Sequence, residues 1–305
     1  MDTNKTKIAI IGSQGYIGSY LSQELSQDKS IQLFNYSKTD RGIAQINFTA
    51  TEGRNISSYS VNNFDVVIYV AGISELDVCL LYSLDEVTNK NVDDVYELAL
   101  KMNSQQILIY ASTSLVCDGH FDMKESDIIN EADLSLYAKS YYMREKKLTE
   151  LSVPKCIGLR LGSVVGISAV QKKSAYIAMM SDAFLKGFIT VNNAKVMRAI
   201  LGIRDLYRVI ITLINSRQQI KNNKLYNISS FNCSIGCIAN QVAKHTCAPI
   251  KFNEFHNKCG FSLDTTEFTT DFNFKFEATH EIIINELMAD IEWICRDHDN
   301  KKVNR

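Results

Sequence analysis

Several features that would mark a fibrous, disordered or membrane-spanning chain are scarce or missing in this sequence. Proline occurs only twice in 305 residues and tryptophan once, and no repeat or low-complexity segment interrupts the chain. Neither sign of charge is in excess: 33 Lys and Arg face 34 Asp and Glu, a formal net charge of -1. That balance gives no overall attraction to a polyanion, so nucleic-acid binding would require a local basic patch. The densest basic run, Arg144-Glu145-Lys146-Lys147, contains an acid and reads as a solvated helix face. Long apolar runs are missing as well. After the polar start Met1 to Lys7, the first apolar stretch runs only from Ile8 to Ile11 before Gly12. It is too short for a signal-peptide core or a membrane span, so a cytoplasmic protein without membrane or nucleic-acid partners is expected. The cysteines (Cys79, Cys117, Cys156, Cys233, Cys237, Cys247, Cys259, Cys295) form no Cys-x-x-Cys pair. Scattered in this way they favour reduced, mostly buried thiols over a disulfide framework. A metal on Cys247, His256 and Cys259 would lack a fourth ligand, and no metal is expected.

What is present is an alternation of short β-branched runs with helical patterns. Lys7 to Ile11, Ile31 to Tyr36, Phe64 to Ala71, Ile107 to Ala111 and Lys155 to Leu161 read as strands. Between them Tyr16 to Leu25, Leu84 to Asn103 and Leu136 to Leu151 read as helices. Strands separated by helices imply βαβ units and a parallel sheet covered on both faces, a doubly wound α/β fold of the Rossmann type. From about Ser163 the alternation weakens. Helices are expected over Ala175 to Lys186, Arg204 to Asn215, Ile235 to His245 and Ile282 to Arg296, with a short strand at Leu225 to Ile228. The expected organisation is a dinucleotide-binding domain over residues 1–162 plus about 200–230, and a smaller C-terminal α/β substrate lobe over 163–199 and 231–305.

The strand Ile8 to Ile11 runs into Gly12-Ser13-Gln14-Gly15-Tyr16-Ile17-Gly18, after which a helix begins. A tight turn, close approach of backbone to a pyrophosphate and close helix–strand packing each exclude a Cβ, while the helix N-terminus supplies amides and a positive dipole end. Gly12, Gln14, Gly15, Tyr16, Ile17 and Gly18 are therefore candidate cofactor residues; a purely structural turn is the plainer alternative. The second strand ends Phe34-Asn35-Tyr36-Ser37-Lys38, followed by Arg41. An acid there would repel a ribose 2′-phosphate, whereas Ser37, Lys38 and Arg41 can bind one, so NADP(H) is favoured over NAD(H). Against this stands the reading in which both cations are merely solvated.

The spacing G-x-x-G-x-x-G, with Gly15-Tyr16-Ile17-Gly18-Ser19, resembles the loop of extended short-chain dehydrogenase/reductases. Further positions carry the resemblance in order along the chain. Asp65 to Gly72 is similar to the family's fourth strand, whose end, here Ala71 and Gly72, lies along the cofactor. Asn91-Val92 resembles a structural Asn-Val pair in the next helix, and Ser112 to Gly119 resembles the S-T-x-x-V-x-D-G of dTDP-4-dehydrorhamnose reductases. Leu159 to Gly166 looks like the segment that enters the substrate lobe, and Arg198 to Asp205 loosely matches a stretch before a later helix. The resemblance implies an NADP(H)-dependent reductase or epimerase of a nucleotide-linked keto sugar in surface-polysaccharide biosynthesis. In it Thr113 would polarise the carbonyl, and a homodimer would form through a bundle containing the Tyr137 helix. The substrate diphosphate would meet cations among Arg160, Lys172, Lys173 and Arg198.

The family's catalytic helix reads Y-x-x-S-K-x-x-x-E-x-x-L. Here Tyr137, Ser140, Glu145 and Leu148 fall into register, but Tyr141 occupies the lysine position. A second Y-x-x-x-K exists at Tyr142 and Lys146, and it forfeits the Ser, Glu and Leu matches. The family's lysine binds the nicotinamide ribose and lowers the tyrosine's pKa. Moving a phenol from about 10 to about 7 takes about 4 kcal/mol. A cation at ~4 Å in an effective dielectric of ~20 supplies about that much. With Tyr141 in its place the ribose can still be hydrogen-bonded, but the activating charge is missing. Arg144, on the same helical face, is a candidate replacement; an exposed arginine is the plainer expectation. The alternative function is a dinucleotide-binding, catalytically weak regulatory or partner protein on the same scaffold.

Overall fold

A computed structural model describes residues 5–38, 41–43, 46, 49–50, 61–253 and 260–289. Chain order begins with β1 (Thr6–Ile11), α1 (Tyr16–Leu25), β2 (Ile31–Ser37), β3 (Thr49–Ala50), β4 (Val66–Tyr69), α2 (Leu76–Cys79), α3 (Leu84–Thr88) and α4 (Asp94–Ala99). It continues with β5 (Ile107–Thr113), α5 (Leu136–Thr149), β6 (Lys155–Leu161), β7 (Ser163–Val165), α6 (Ala175–Lys186), β8 (Ile189–Asn192) and β9 (Met197–Gly202). The last elements are α7 (Ile203–Asn215), β10 (Lys224–Ile228), β11 (Phe231–Ser234), α8 (Ile235–Thr246), β12 (Ile250–Asn253), α9 (Thr266–Asp271) and α10 (His280–Ala289).

Seven strands form one sheet in the order β10-β6-β5-β4-β1-β2-β3, and every pairing in it is parallel. Strand alternation sends the side chains to two separate cores. Ile8, Ile10, Val66, Ile68, Ile107 and Ile109 pack against α1 and α7 on one face. Ala9, Ile11, Val67, Tyr69, Leu108 and Tyr110 pack against α4 and Leu148 of α5 on the other. Burial on both faces is why these strands read as continuous apolar runs rather than alternating ones. The chain moves outward from β1 through β2 to β3, then returns to the opposite side of β1 at β4. The crevice where strand order reverses, outside the strands' C-terminal ends, is where open α/β sheets place ligands.

Beyond β6 a three-stranded sheet β11-β9-β7 and the pair β12-β8 join α6, α8 and α10 around a third core containing Tyr176, Met180, Ile238, Ile283 and Leu287. The anticipated helix over Leu84 to Asn103 is interrupted: α3 and α4 are joined by a π-type turn, Asn89–Asp93. The anticipated final helix begins two residues early, at His280, and its expected end at Arg296 lies outside the described residues, as do Cys259 and Cys295. Of the other cysteines, Cys79, Cys117, Cys156 and Cys233 are buried free thiols, Cys237 is half-buried and Cys247 is exposed. Among the described residues no helix is long and apolar enough to cross a membrane.

Candidate active site

The glycine loop follows β1 at the crevice. Gly12 has φ +98°, and a Cβ there would lie 2.9 Å from the Ala71 amide at the end of β4. At Gly18 a Cβ would sit 2.0 Å from the Gly12 carbonyl oxygen. Packing of strand and helix therefore accounts for both glycines. Gly15 differs, because a Cβ would touch only the Gly12 carbonyl, at 3.2 Å. As the N-cap of α1 it provides no side-chain acceptor, which leaves the first-turn amides of the helix available to a ligand. Gln14 is 1% exposed; its Nε2 has no partner among the described residues, while its Oε1 accepts the Arg41 amide at 3.4 Å. An uncapped helix start, a Cβ-free approach and an unpartnered buried amide fit a dinucleotide pyrophosphate. Tyr16 and Ile17 line the adjoining cavity of about 1600 Å³, and Tyr16 donates its hydroxyl to the Gly166 carbonyl at 3.0 Å, tying the loop to the substrate lobe.

At the end of β2, Ser37 is buried and Arg41 is exposed and lines the same cavity. Lys38 is already engaged: its Nζ lies 2.8 Å from Asp94 Oδ2, and the Asp94 side chain is only 6% exposed.

Thr113 closes β5 and Tyr137 opens α5, whose N-cap Ser135 accepts from the Ala138 amide. Both line the cavity, together with Tyr141. The Thr113 Oγ1 accepts the Leu115 amide at 3.2 Å. Burial holds the Tyr137 pKa well above 10; the Tyr141 phenol raises it further, and Thr113 opposes the shift. Burial also raises Tyr141, while Arg144 and the Tyr137 hydroxyl pull it down. The two rings are tilted against each other with centroids 4.9 Å apart, and Tyr141 donates to the Ile73 carbonyl at 3.3 Å. Gly72, at φ +139°, makes room for this corner: a Cβ would meet Asn91 Oδ1 at 2.7 Å, Arg144 Nη2 at 3.0 Å and the Tyr141 hydroxyl at 3.3 Å. The competing pair does not share this place. Lys146 points to Glu131 at 2.8 Å with half its side chain exposed, and Tyr142 packs into a separate core.

The sequence profile of the NAD dependent epimerase/dehydratase family matches residues 8–229, from β1 to just past β10. The chain belongs to that family. No curated protein sequence matches it, so the remaining comparisons are between folds. An ADP-L-glycero-D-manno-heptose-6-epimerase from Helicobacter pylori superposes with a TM-score of 0.80 at 15% identity, covering 96% of this chain and 98% of its own. A UDP-glucose-4-epimerase from Stenotrophomonas maltophila, with bound NAD and formylated UDP-arabinopyranose, gives 0.81 at 14% identity, covering 96% and 99%. An L-threonine dehydrogenase from Phytophthora infestans gives 0.78 at 16%, covering 94% and 100%.

For a member of the epimerase/dehydratase family, two buried charges stand out that sequence pattern placed elsewhere. Arg144, a candidate replacement charge whose plainer expectation was exposure, is fully buried. Its Nε donates to the Asn91 carbonyl, Nη1 to Ala111 at 2.7 Å and Nη2 to Ala71 at 3.2 Å. The solvated-face reading of the 144–147 run thus holds for Lys146 and Lys147, which are half-exposed ion-pair donors, and fails for Arg144 and Glu145. Arg160, a candidate for the substrate diphosphate, is instead 3% exposed and paired with Glu145 at 2.9 Å. Lys172, Lys173 and Arg198 do line the cavity; Lys172 donates to the Ser74 carbonyl at 3.0 Å, and burial lowers its pKa. Asn91 could be found from its motif and Arg144 from its place on the Tyr137 helical face, but nothing in the sequence marked the contact between them.

Proposed function

We propose that the chain is an NADP(H)-dependent reductase or epimerase acting on a nucleotide-linked keto sugar, in surface-polysaccharide biosynthesis. The observation that carries this reading is that Thr113 and Tyr137 line the same cavity as the N-terminus of α1. That cavity, at about 1600 Å³, exceeds the roughly 300–1,000 Å³ of a site for one small ligand, as a dinucleotide plus a sugar nucleotide would require. The sugar nucleotide held by the Stenotrophomonas structure supports the substrate class.

When bound, the nicotinamide would supply or take up the hydride. The chain's own residues do the rest. Gly12, Gln14, Gly15 and Gly18 shape the pyrophosphate cradle, with Tyr16, Ile17, Ala71 and Gly72 along the cofactor. Thr113 directs its proton to the reacting oxygen, and Tyr137 exchanges a proton with it. Burial keeps Tyr137 protonated at neutral pH, so in the reductive direction it already holds the proton it donates. For the 2′-phosphate, Ser37 and Arg41 are the proposed ligands, and Lys38 would leave Asp94 to join them. Lys172, Lys173 and Arg198 would face the substrate diphosphate. Residues 1–162 with about 200–230 act as the cofactor half, 163–199 with 231–305 as the substrate half, and two copies would pair through α5.

The test is direct. NADPH should bind more tightly than NADH by calorimetry, and 4-keto-6-deoxy nucleotide sugars should be reduced. Tyr137→Phe should lower kcat by about 10²–10⁴-fold while leaving the Kd for NADPH nearly unchanged. The forward rate should hold steady from pH 6 to about 9, because a phenol raised above 10 stays protonated there. A rate that falls with a midpoint near neutrality would reject Tyr137 as the donor. A second reading, a dinucleotide-binding partner protein with weak catalysis, draws on Tyr141 in place of lysine. If only Tyr141→Lys turns substrate over, that reading replaces the first for the native chain.

A further inference from the structure

The guanidinium of Arg144 is out of water, and among the described residues no carboxylate forms an ion pair with it. Its sequence neighbour Glu145 is committed to Arg160. A buried cation normally finds an anion, because several kcal/mol of hydration are lost. Here three carbonyl oxygens take its hydrogen bonds, and two aromatic faces take the rest: the ring of Tyr141 at 4.5 Å and that of Tyr69 at 5.4 Å. Carbonyl dipoles satisfy the N–H groups without neutralising the charge. The group best placed to do so is Tyr141, whose ring lies beneath the guanidinium and whose hydroxyl, like Arg144 Nη2 and Asn91 Oδ1, borders the space left open by Gly72.

We propose that Arg144 is the electrostatic partner of the Tyr137–Tyr141 pair, acting through the Tyr141 ring to stabilise negative charge on the two phenols, so that Tyr141 relays the proton that Tyr137 exchanges with substrate. The proposal rests on the reading of Tyr137 as proton donor. When Tyr137 gives its proton to the substrate oxygen, the Tyr141 hydroxyl turns from the Ile73 carbonyl and its proton moves to Tyr137. The resulting Tyr141 phenolate faces Arg144, and water in the cavity that Tyr141 lines restores the proton. The other groups facing the pair do not compete for this role. Cys79 comes from α2, and Leu115 from the turn after β5. Tyr82, also in this cluster, has Lys90 over its ring at 3.7 Å.

A polyfluorinated tyrosine, which ionises well below tyrosine itself, placed singly at position 137 or 141 reports each phenol by absorbance and fluorine NMR in the cofactor-free protein. Position 141 should titrate at the lower pH. Arg144→Met should raise both midpoints by about 1–3 units, and Arg144→Lys should recover most of that shift. Tyr141→Phe should raise the midpoint at 137. Unmoved midpoints in Arg144→Met would overturn the proposal. If that variant does not fold, an unmoved position 137 in Tyr141→Phe overturns it equally. Because these titrations use no substrate, absence of sugar turnover would count against the proposed reaction alone.

Discussion

Glu145 and Arg160 are each 3% exposed, and the carboxylate also receives the Ser112 hydroxyl at the end of β5. The pair thus fixes α5 against β5 and β6 directly behind Thr113. Removing two ions from water costs nearly what their attraction returns, so the pair adds little net stability, but breaking it leaves an uncompensated buried charge. Arg160→Met should cost about 3–5 kcal/mol in urea unfolding, and adding Glu145→Gln should recover much of that loss. A single-variant cost below about 1 kcal/mol would contradict the pair's burial. At this scale legibility depended on neighbours. Thr113, Tyr137 and the glycines stand in fixed spacings that a sequence displays. Arg144 and Glu145 sit in a charged string whose residue types ordinarily face water, Arg160 is a lone charge in an apolar strand, and their burial follows from partners on other elements.

The interrupted α3–α4 segment shows how an element can depart from its local pattern. Its π-type turn contains Asn91, whose carbonyl accepts from Arg144. The Asn91 side chain accepts the Ile73 amide at 2.7 Å and donates to Ser140 Oγ at 2.9 Å. One residue thereby connects the segment after β4, the turn and α5, and such widened turns are frequent at functional sites. Asn91→Ala would strand the Ile73 amide and should cost about 1–3 kcal/mol. Hydrogen exchange should rise around Ile73 to Cys79, along the cavity wall, before the sheet is affected; a uniform rise would indicate global destabilisation instead. Elements with one dominant period, such as β1, α1, β6 and α6, were legible to within a residue or two. The turn was not, because its cause is a tertiary hydrogen bond. Strands β7, β8, β11 and β12, of three or four residues each, are too short to show a period.

Across the whole molecule, the chain after β12 leaves the substrate lobe and comes back to it. Phe268, Phe272, Phe274 and Phe276 pack on one another and, through Phe268 and Phe272, on Tyr226 of β10, within the core beneath α7. From His280, α10 enters the other core. This return was not legible, since Phe272, Phe274 and Phe276 alternate with the strand period although the segment after α9 forms no strand. The crossing point is Glu277-Ala278, and Asp205 in the first turn of α7 holds it. Its carboxylate accepts the Glu277 amide at 3.1 Å, the Ala278 amide at 2.9 Å, the Ser230 hydroxyl at 2.7 Å and Arg208 at 2.8 Å. Asp205 is 1% exposed, so removing the carboxylate leaves two amides and a hydroxyl without an acceptor. Asp205→Ala should therefore cost about 3 kcal/mol or more. Its effect should be directional, because α10 packs on α8, and α8 carries Ile235 and Ile238 into the cavity wall. Under the proposed function, amide exchange in α10 and the KM for the sugar nucleotide should rise several-fold, while the Kd for NADPH, assigned to the glycine loop and the segment after β4, should change little. Equal weakening of both ligands would mean that Asp205 supports the sheet as a whole rather than the seam between the two cores.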